Sequence, residues 1–240
     1  MLKDYRFHFR PVLTVLSVLA LGVLIALGSW QLQRLEWKRG LIAKVEARVE
    51  AAPIPFEEAL ALAEAGEDME YTPVKLNGRF HYNKPADIFG SYDGVPGVFV
   101  FTPVGADFGE FIYVNRGFVS QDARKAGWPE TRPSETPITE ITGLFRSAEK
   151  PVPPASWFRS SKKSADGLWF VRDPLTFAAD AGIEAPAFYI DQFAVPGREW
   201  PRGGTTRLDF NNRHLEYALT WFGLALTLLG VCIAFFLQKR

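Results

Sequence analysis

Cysteine is nearly absent from this sequence, and its scarcity excludes two kinds of site. Cys232 is the only cysteine among 240 residues, and it lies inside a long apolar run. One cysteine cannot form a disulfide within the chain or build a cysteine-based zinc site. A surplus of positive charge is missing too, since 27 basic side chains balance 27 acidic ones. Because proteins that bind nucleic acid usually carry a clear basic excess, we expect no nucleic-acid partner.

The sequence patterns that mark common enzymes are also missing. There is no Gly-x-Ser-x-Gly nucleophile motif, no His-Glu-x-x-His zinc motif and no glycine-rich phosphate loop. Three histidines are present, His8, His81 and His214. Only His81 falls where a soluble catalytic site is expected, and its surroundings indicate an ordinary strand residue. We therefore predict that the protein is not an enzyme.

The chain does contain one long, uncharged, apolar run near each end. Val12–Trp30 has 19 residues and Tyr217–Leu237 has 21. About 20 helical residues cross the roughly 30 Å core of a bilayer, so each run predicts a transmembrane helix. The alternative for the first run is a cleaved signal peptide, because Lys3, Arg6 and Arg10 precede it.

Two spans would place both termini on one side of the membrane. Basic residues flank both ends of the runs, and the positive-inside rule weakens for loops above about 60 residues. Here 186 residues separate the runs, so charge alone leaves the orientation open. The predicted order is a terminal segment 1–11, a span 12–30, a β-rich domain 31–211 that begins with a helix, a second span with its lead-in 212–237, and a tail 238–240.

Between the spans, the apolar pattern changes from a helical period to a β period. Helices are predicted over Gln31–Glu50, Phe56–Ala65 and Pro174–Ala181, the last capped by Asp173 and closed by Gly182. Seven β-rich runs are predicted over 74–80, 88–92, 98–104, 111–119, 138–145, 168–171 and 188–193. The fold class is therefore two transmembrane α-helices flanking a mainly antiparallel β barrel or sandwich with a few short helices.

One proline-rich segment interrupts the β pattern. Residues 147–167 predict a long loop without regular structure. Its Trp157 and Phe158 either dock a partner or the membrane surface, or pack on the barrel.

His214 is notable because it lies three residues before the second apolar run, and ionisable groups near the hydrocarbon are often functional. On a helix it shares one face with Tyr217 and Trp221. The opposite face carries small residues that we expect to pack on Gly22 and Ala26 of the first span, namely Thr220, Gly223, Thr227 and Gly230. The histidine face would then point towards lipid, a ligand or a partner. Imidazole ligates iron and aromatic rings suit a flat macrocycle, whereas the alternative is simple anchoring at the membrane surface.

Four motifs together resemble a known family. They are Gly28–Lys38 (GSWQLQRLEWK), Val114–Val119 (VNRGFV), Gly203–Arg207 (GGTTR) and Asn211–Phe222 (NNRHLEYALTWF). In this order they resemble the signatures of the surfeit locus protein one family.

The central motif departs from the family pattern at two positions. Phe118 and Ser120 stand where the pattern has Trp and Pro. Because one aromatic residue replaces another, the departure puts little of the resemblance in doubt.

The resemblance implies a role in assembling haem–copper cytochrome c oxidase in a respiratory membrane. It implies transient binding of haem a and its insertion into the catalytic subunit, with haem a synthase as a further partner. It also implies a large domain on the periplasmic (or intermembrane-space) side and cytoplasmic termini. The eleven residues before the first span are few for an organellar targeting peptide, which favours a bacterial inner membrane.

The resemblance further implies a set of site residues. The proposed iron ligand of the family maps onto His214, beside which Tyr217 and Trp221 would line the ring. Three arginines are candidates for pairing with the haem propionates, namely Arg213, Arg207 and Arg34.

Two other functions stay open. In the first, a cofactor-free scaffold holds an oxidase subunit during assembly, and Asn115–Gly117 is only a structural turn. In the second, a membrane-tethered enzyme acts on haem itself, although the domain offers no evident acid–base or metal cluster for that chemistry.

Overall fold

The computed structural model describes residues 5–7, 10–128, 136–151, 153, 162–208 and 210–239. They divide into a helix unit, Met1–Lys44 with Leu208–Arg240, and a barrel unit, Val45–Arg207. The elements in chain order are β1 (Tyr5–Phe7), α1 (Pro11–Val49), β2 (Ile54–Pro55), α2 (Phe56–Glu64), β3 (Pro73–Phe80), β4 (Ala86–Tyr92), β5 (Val95–Ala106), β6 (Phe111–Ser120), α3 (Gln121–Lys125), β7 (Thr139–Ser147), β8 (Leu168–Trp169), α4 (Pro174–Ala181), β9 (Phe188–Gln192), α5 (His214–Phe236) and β10 (Leu237–Lys239).

The helix unit contains two helices that are long and apolar enough to cross a membrane, α1 and α5. With 39 residues, α1 is about 58 Å long, roughly twice the thickness of a bilayer core. The prediction that the first span continues as a helix beyond the apolar run is therefore confirmed. The short strands β1 and β10 form an antiparallel pair at the ends of the chain.

The helix unit corrects the prediction about which face of α5 packs on α1. Thr220, Gly223, Thr227 and Gly230 are all exposed. The buried residues of α5, Ala218 and Ala225, lie instead on the His214 face. A Cβ built on Gly28 of α1 would stand 2.7 Å from the Phe222 ring, so the glycine of α1 accommodates this aromatic ring. Small residues alone did not identify the contact, because here a large side chain of one helix meets a glycine of the other.

The barrel unit is built on an eight-stranded sheet in the order β2-β3-β7-β9-β6-β5-β4-β8. The long strand β5 pairs with β4 over residues 95–101 and then with β3 over residues 104–106. This second pairing joins β3 to β5 and closes the five strands β3, β7, β9, β6 and β5 into a ring. A barrel is thus present.

The strand directions correct the predicted mainly antiparallel sheet, because the sheet is mixed. Parallel pairs occur at β2–β3, β4–β8 and β6–β9. Strands adjacent in sequence do form antiparallel pairs at β4–β5 and β5–β6. The chain instead brings β9 back between β7 and β6, antiparallel to the first and parallel to the second.

Two helices complete the interior of the barrel unit. Phe56 and Leu60 of α2 are buried with the side chains of β3 and β7. Phe177 of α4 packs in a second cluster that includes Phe101 and Tyr189. Burying aromatic side chains of this size stabilises the fold by roughly 2–3 kcal/mol each.

Local sequence signals predict most of these elements correctly. Each of the seven predicted β-rich runs contains a strand. Helix α4 begins after the Asp173 cap and ends at the left-handed Gly182, as predicted. The short helix α3, capped by the Ser120 hydroxyl, was missed. Trp157 and Phe158 of the predicted loop lie outside the described residues.

Candidate functional sites

The helix unit presents a hydrogen-bonded histidine at the start of α5. His214 Nδ1 lies 2.7 Å from Oε1 of Gln31 on α1. An amide oxygen only accepts hydrogen bonds, so Nδ1 is the donor in this contact, and in the neutral imidazole the lone pair then lies on Nε2. Metal-ligating histidines commonly use their second ring nitrogen in this way, which fixes the orientation of the ring.

A surface depression of about 250 Å³ surrounds this histidine within the helix unit. Its lining residues are Lys38, Asn211, Arg213, His214 and Tyr217. Lys38 Nζ donates to the backbone carbonyl of Asn211. The arrangement offers one imidazole, one aromatic ring and two cations, which fits a planar iron complex that carries carboxylates. Enclosed ligand pockets usually hold about 300–1,000 Å³, so a macrocycle placed here would remain largely uncovered by the depression.

Only some of the predicted site residues line the depression around His214. Tyr217, 55% exposed, and Arg213 line the depression with His214. Trp221 is half-buried and lies outside the lining. Arg34 is also outside it, with its guanidinium carbon 3.7 Å from the centre of the Trp37 ring. The ligand roles of these residues remain predictions.

Sequence reasoning overlooked two residues of α1 that belong to this site, Gln31 and Lys38. Both belong to the first motif and are seven residues apart, which places them on one face of α1. The helical spacing was therefore a signal for Lys38. The role of Gln31 depends on its contact with a residue 183 positions away, which spacing does not reveal.

A second polar cluster is buried in the barrel unit around Asp191, which is 3% exposed. Asp191 Oδ1 accepts from Asn115 Nδ2 at 2.7 Å. Its Oδ2 accepts from Thr206 Oγ1 and from Arg146 Nη1, each at 2.8 Å. Arg146 Nε also donates to Glu70 Oε1 at 2.6 Å. This Asp191 cluster joins the central motif, through Asn115, to the Gly203–Arg207 motif, through Thr206.

The environment of the Asp191 cluster shifts the pKa of one member, Arg146, and of one neighbour, Tyr189. Burial disfavours the charged guanidinium of Arg146, but Tyr189, Asp191 and Glu70 outweigh that cost and raise its pKa above the ordinary value. Burial, followed by the charge of Asp191, raises the pKa of the neighbouring Tyr189. Arg146 is thus held in its charged form and Tyr189 in its neutral form.

The central motif forms a β-bulge in β6. Arg116 and Gly117 together stand opposite Val100, between the pairs Phe99↔Phe118 and Phe101↔Asn115. Gly117 has a φ of +121°, and a Cβ there would lie 1.9 Å from the carbonyl oxygen of Arg202. A glycine is needed at this position for both reasons.

The bulge brings β6 onto the segment before the Gly203–Arg207 motif. Phe118 N donates to Arg202 O at 2.9 Å, and Arg202 N donates to Phe118 O at 2.8 Å. Asn115 Oδ1 accepts from Gly117 N at 3.1 Å. The motif predicted as a turn in the scaffold interpretation is thus an internal bulge that fastens two chain segments.

The barrel unit also contains a cavity of about 590 Å³. Its lining includes Ile88–Tyr92 of β4, Arg146, Arg172 and Thr205–Arg207. Arg207, one of the predicted propionate partners, belongs to this unit and is exposed.

The fold and the sites define a class: a small mixed β barrel with one apolar helix at each end of the chain, each long enough to cross a membrane. Comparison with known proteins refines the class. Residues 18–226 match the model of the SURF1 family.

Individual relatives give the same result. Surfeit locus protein 1 of Rattus norvegicus is 35% identical over 217 residues, which cover 82% of this chain and 67% of the relative. Surfeit locus protein 1 of Homo sapiens is 35% identical over 237 residues, covering 89% and 73%. SURF1-like protein of Monosiga brevicollis is 30% identical over 237 residues, covering 91% and 84%. The chain belongs to the SURF1 family, so the resemblance stated from its motifs is confirmed.

Proposed function

We propose that this protein is an assembly factor for haem–copper cytochrome c oxidase that binds haem a transiently and assists its insertion into the catalytic subunit. The observation that carries the proposal is the 2.7 Å contact between His214 Nδ1 and Gln31 Oε1. This contact orients the imidazole and leaves Nε2 as the nitrogen for haem iron. In this role the protein is a carrier and not an enzyme.

The other residues of the depression have matching roles in this proposal. Tyr217 would stand beside the macrocycle, and Arg213 and Lys38 would pair with the propionates. Bound haem a would supply the iron and the carboxylates, while the chain would hold and orient them. A depression of about 250 Å³ leaves the ligand accessible, which suits transfer to another protein better than storage.

We further propose that α1 and α5 cross a bacterial inner membrane, with both termini in the cytoplasm and the barrel unit in the periplasm. The length and composition of the two helices support this location. Trp30 and Tyr217, 54% and 55% exposed, would lie at the membrane–water boundary. The partners would be the catalytic subunit of the oxidase and haem a synthase.

The haem content of the purified protein tests the proposal. The full chain would be purified from cells that make haem a, and its haem measured as the pyridine haemochrome. We expect His214→Ala to lower haem a content at least tenfold, because the iron loses its protein ligand. His81→Ala, which removes an exposed histidine of the barrel unit, is the matched control and should retain the haem. Undiminished haem in His214→Ala would refute the ligand assignment.

The cofactor-free scaffold remains the second candidate function. It is favoured by the bulge at Arg116–Gly117, because the central motif there serves the fold of the barrel. A colourless wild-type preparation from cells that make haem a would support the scaffold. A stoichiometric haem a spectrum would support the carrier.

A further inference from the structure

We propose that the cavity of the barrel unit binds an extended, acidic peptide segment of a partner protein. In this proposal the main chain of the segment adds to the free edge of β4, and its carboxylates meet Arg172 and Arg207. The site goes beyond the haem role, since it uses no residue of the helix unit.

The first support is an unpaired stretch of strand. On one side, Phe89–Tyr92 of β4 pairs with Val95–Val98 of β5. On the other side, β8 pairs only with Asp87 and Ile88. Within the described part of the chain, no strand pairs with the outer edge of β4 beyond Ile88, and no turn or loop backbone hydrogen bond reaches Phe89–Tyr92. Such an edge is a template for an added strand.

The second support is that this same stretch lines the cavity together with two arginines, Arg172 and Arg207, whose guanidinium groups form no ion pair among the described residues. The guanidinium carbon of Arg172 stacks 4.5 Å from the centre of the Phe99 ring. A guanidinium that stacks on a ring still presents the N–H groups at its edge, and these can donate two hydrogen bonds to one carboxylate.

The acidic groups of the cavity are already engaged by the protein itself. Glu70 Oε1 accepts from Arg146 at 2.6 Å, and its Oε2 accepts from Ser147 N at 2.9 Å. Glu149 Oε2 accepts from the backbone N of Arg172 at 3.2 Å. An incoming carboxylate therefore meets two arginines that form no ion pair, while Glu70 and Glu149 already accept hydrogen bonds from the protein. The charge of the site favours an acidic segment over a basic one.

The size of the cavity is consistent with such a ligand. At about 590 Å³ it falls within the roughly 300–1,000 Å³ range of ligand pockets. Phe89, 49% exposed, offers an apolar contact beside the free edge. Alternating acidic and apolar side chains on an added strand would thus meet the arginines and the ring in turn.

Fluorescence anisotropy with defined peptides tests the proposal on the full chain in detergent. The probe is a short fluorescein-labelled peptide of alternating glutamate and valine, and its counterpart has lysine in place of glutamate. We expect the glutamate peptide to bind and the lysine peptide to bind at least tenfold more weakly. Arg172→Gln and Arg207→Gln should each weaken the glutamate peptide about tenfold, since each removes a charge-assisted hydrogen bond. Arg198→Gln, at an exposed arginine outside the cavity lining, is the matched control and should have no effect.

A chemically altered probe tests strand addition without changing the protein. Methylating alternate backbone nitrogens of the glutamate peptide removes main-chain donors and keeps its charge. We expect binding to weaken at least tenfold for one of the two alternating methylation patterns. The proposal is overturned if both patterns bind like the parent peptide, if the lysine peptide binds equally well, or if neither arginine variant changes the affinity. Competition by free glutamate at the peptide's own concentration would also overturn it, because the ligand would then be a small carboxylate.

Discussion

The two units of this chain differ in the exposure of their large apolar side chains. In the barrel unit, Phe56, Phe145 and Phe177 are at most 1% exposed. In the helix unit, Val12 is 72% and Leu226 is 71% exposed. The barrel unit thus has its own hydrophobic core, whereas the apolar surface of the helices needs a surrounding such as lipid.

Their polar groups differ in the same sense. In the barrel unit, Asp191 is surrounded by donors from Asn115, Arg146 and Thr206. At the start of α5, His214 Nδ1 contacts Oε1 of Gln31 on α1, and Nε2 is the ring nitrogen that we propose for a ligand. The buried polar groups of the barrel thus stabilise the fold, whereas in our proposal the polar group of the helix unit serves binding.

The largest expected effect comes from breaking the Asp191 cluster. Asp191→Ala should lower the free energy of unfolding by about 3–5 kcal/mol, because Arg146 keeps a buried charge without this partner. Urea unfolding of the full chain in detergent, followed by tryptophan fluorescence, measures the change. Asp180→Ala is the control, since the Asp180–Lys163 pair is exposed and should contribute less than about 1 kcal/mol. Equal stabilities for the two variants would contradict a structural role for Asp191.

The bulge in β6 gives the next largest effect. Gly117→Ala should lower the free energy of unfolding by about 3 kcal/mol, because the new Cβ meets the Arg202 carbonyl at a backbone angle that alanine disfavours. Gly109→Ala is the matched control: its φ is +95°, but a Cβ there meets nothing within 4 Å. Backbone strain alone should cost about 1 kcal/mol at Gly109. The same urea titration measures both, and losses of equal size would show that contact with Arg202 is unimportant.

A smaller effect is expected at alkaline pH. Burial, with the charge of Asp180, raises the pKa of Tyr113, and burial also raises the pKa of Tyr189. Above about pH 10, tyrosines of the unfolded chain lose their protons first, so the unfolded chain binds fewer protons. The rise in pH therefore favours the unfolded chain over the folded one. The free energy of unfolding falls by up to about 1.4 kcal/mol per pH unit for each tyrosine.

The Tyr113→Phe variant isolates one of these contributions. Within the described structure the Tyr113 hydroxyl has no hydrogen-bond partner, so phenylalanine should be tolerated. The variant should lose about 1.4 kcal/mol per pH unit from the alkaline slope, as measured by urea unfolding at pH values on both sides of 10. An unchanged slope would contradict the burial of a neutral Tyr113.

Local rules predicted much of the fold, because they depend on neighbours in sequence. Asp173 and Gly182 mark the ends of α4, and alternating apolar residues mark the strands. The parallel pairing of β6 with β9 was not predictable in this way, since Tyr113 and Tyr189 meet across 76 positions. Strand direction here is set by where the chain returns and not by the residues of the strand.

The candidate sites also combine residues that local sequence predicts with residues that depend on contacts distant in sequence. His214 was predicted from its place beside an apolar run, a local feature. Its partner Gln31 and the helix face that carries it depend on the contact of Gly28 with Phe222, which becomes visible only once the helices are paired. The Asp191 cluster draws on five separate stretches of chain, so no sequence spacing revealed it.

A double-mutant cycle at His214 and Gln31, with the affinity for haem a as the measured quantity, tests the central claim most directly. Haem a would be titrated into the haem-free full chain in detergent, with dissociation constants taken from the visible spectrum. We expect Gln31→Leu to weaken binding about tenfold, as the loss of a ligand-orienting partner does, and His214→Ala to weaken it further. The double variant should bind no more weakly than His214→Ala, because Gln31 acts through the imidazole. Additive losses, or an affinity that neither substitution changes, would contradict the account that these two helices hold haem a through an oriented His214.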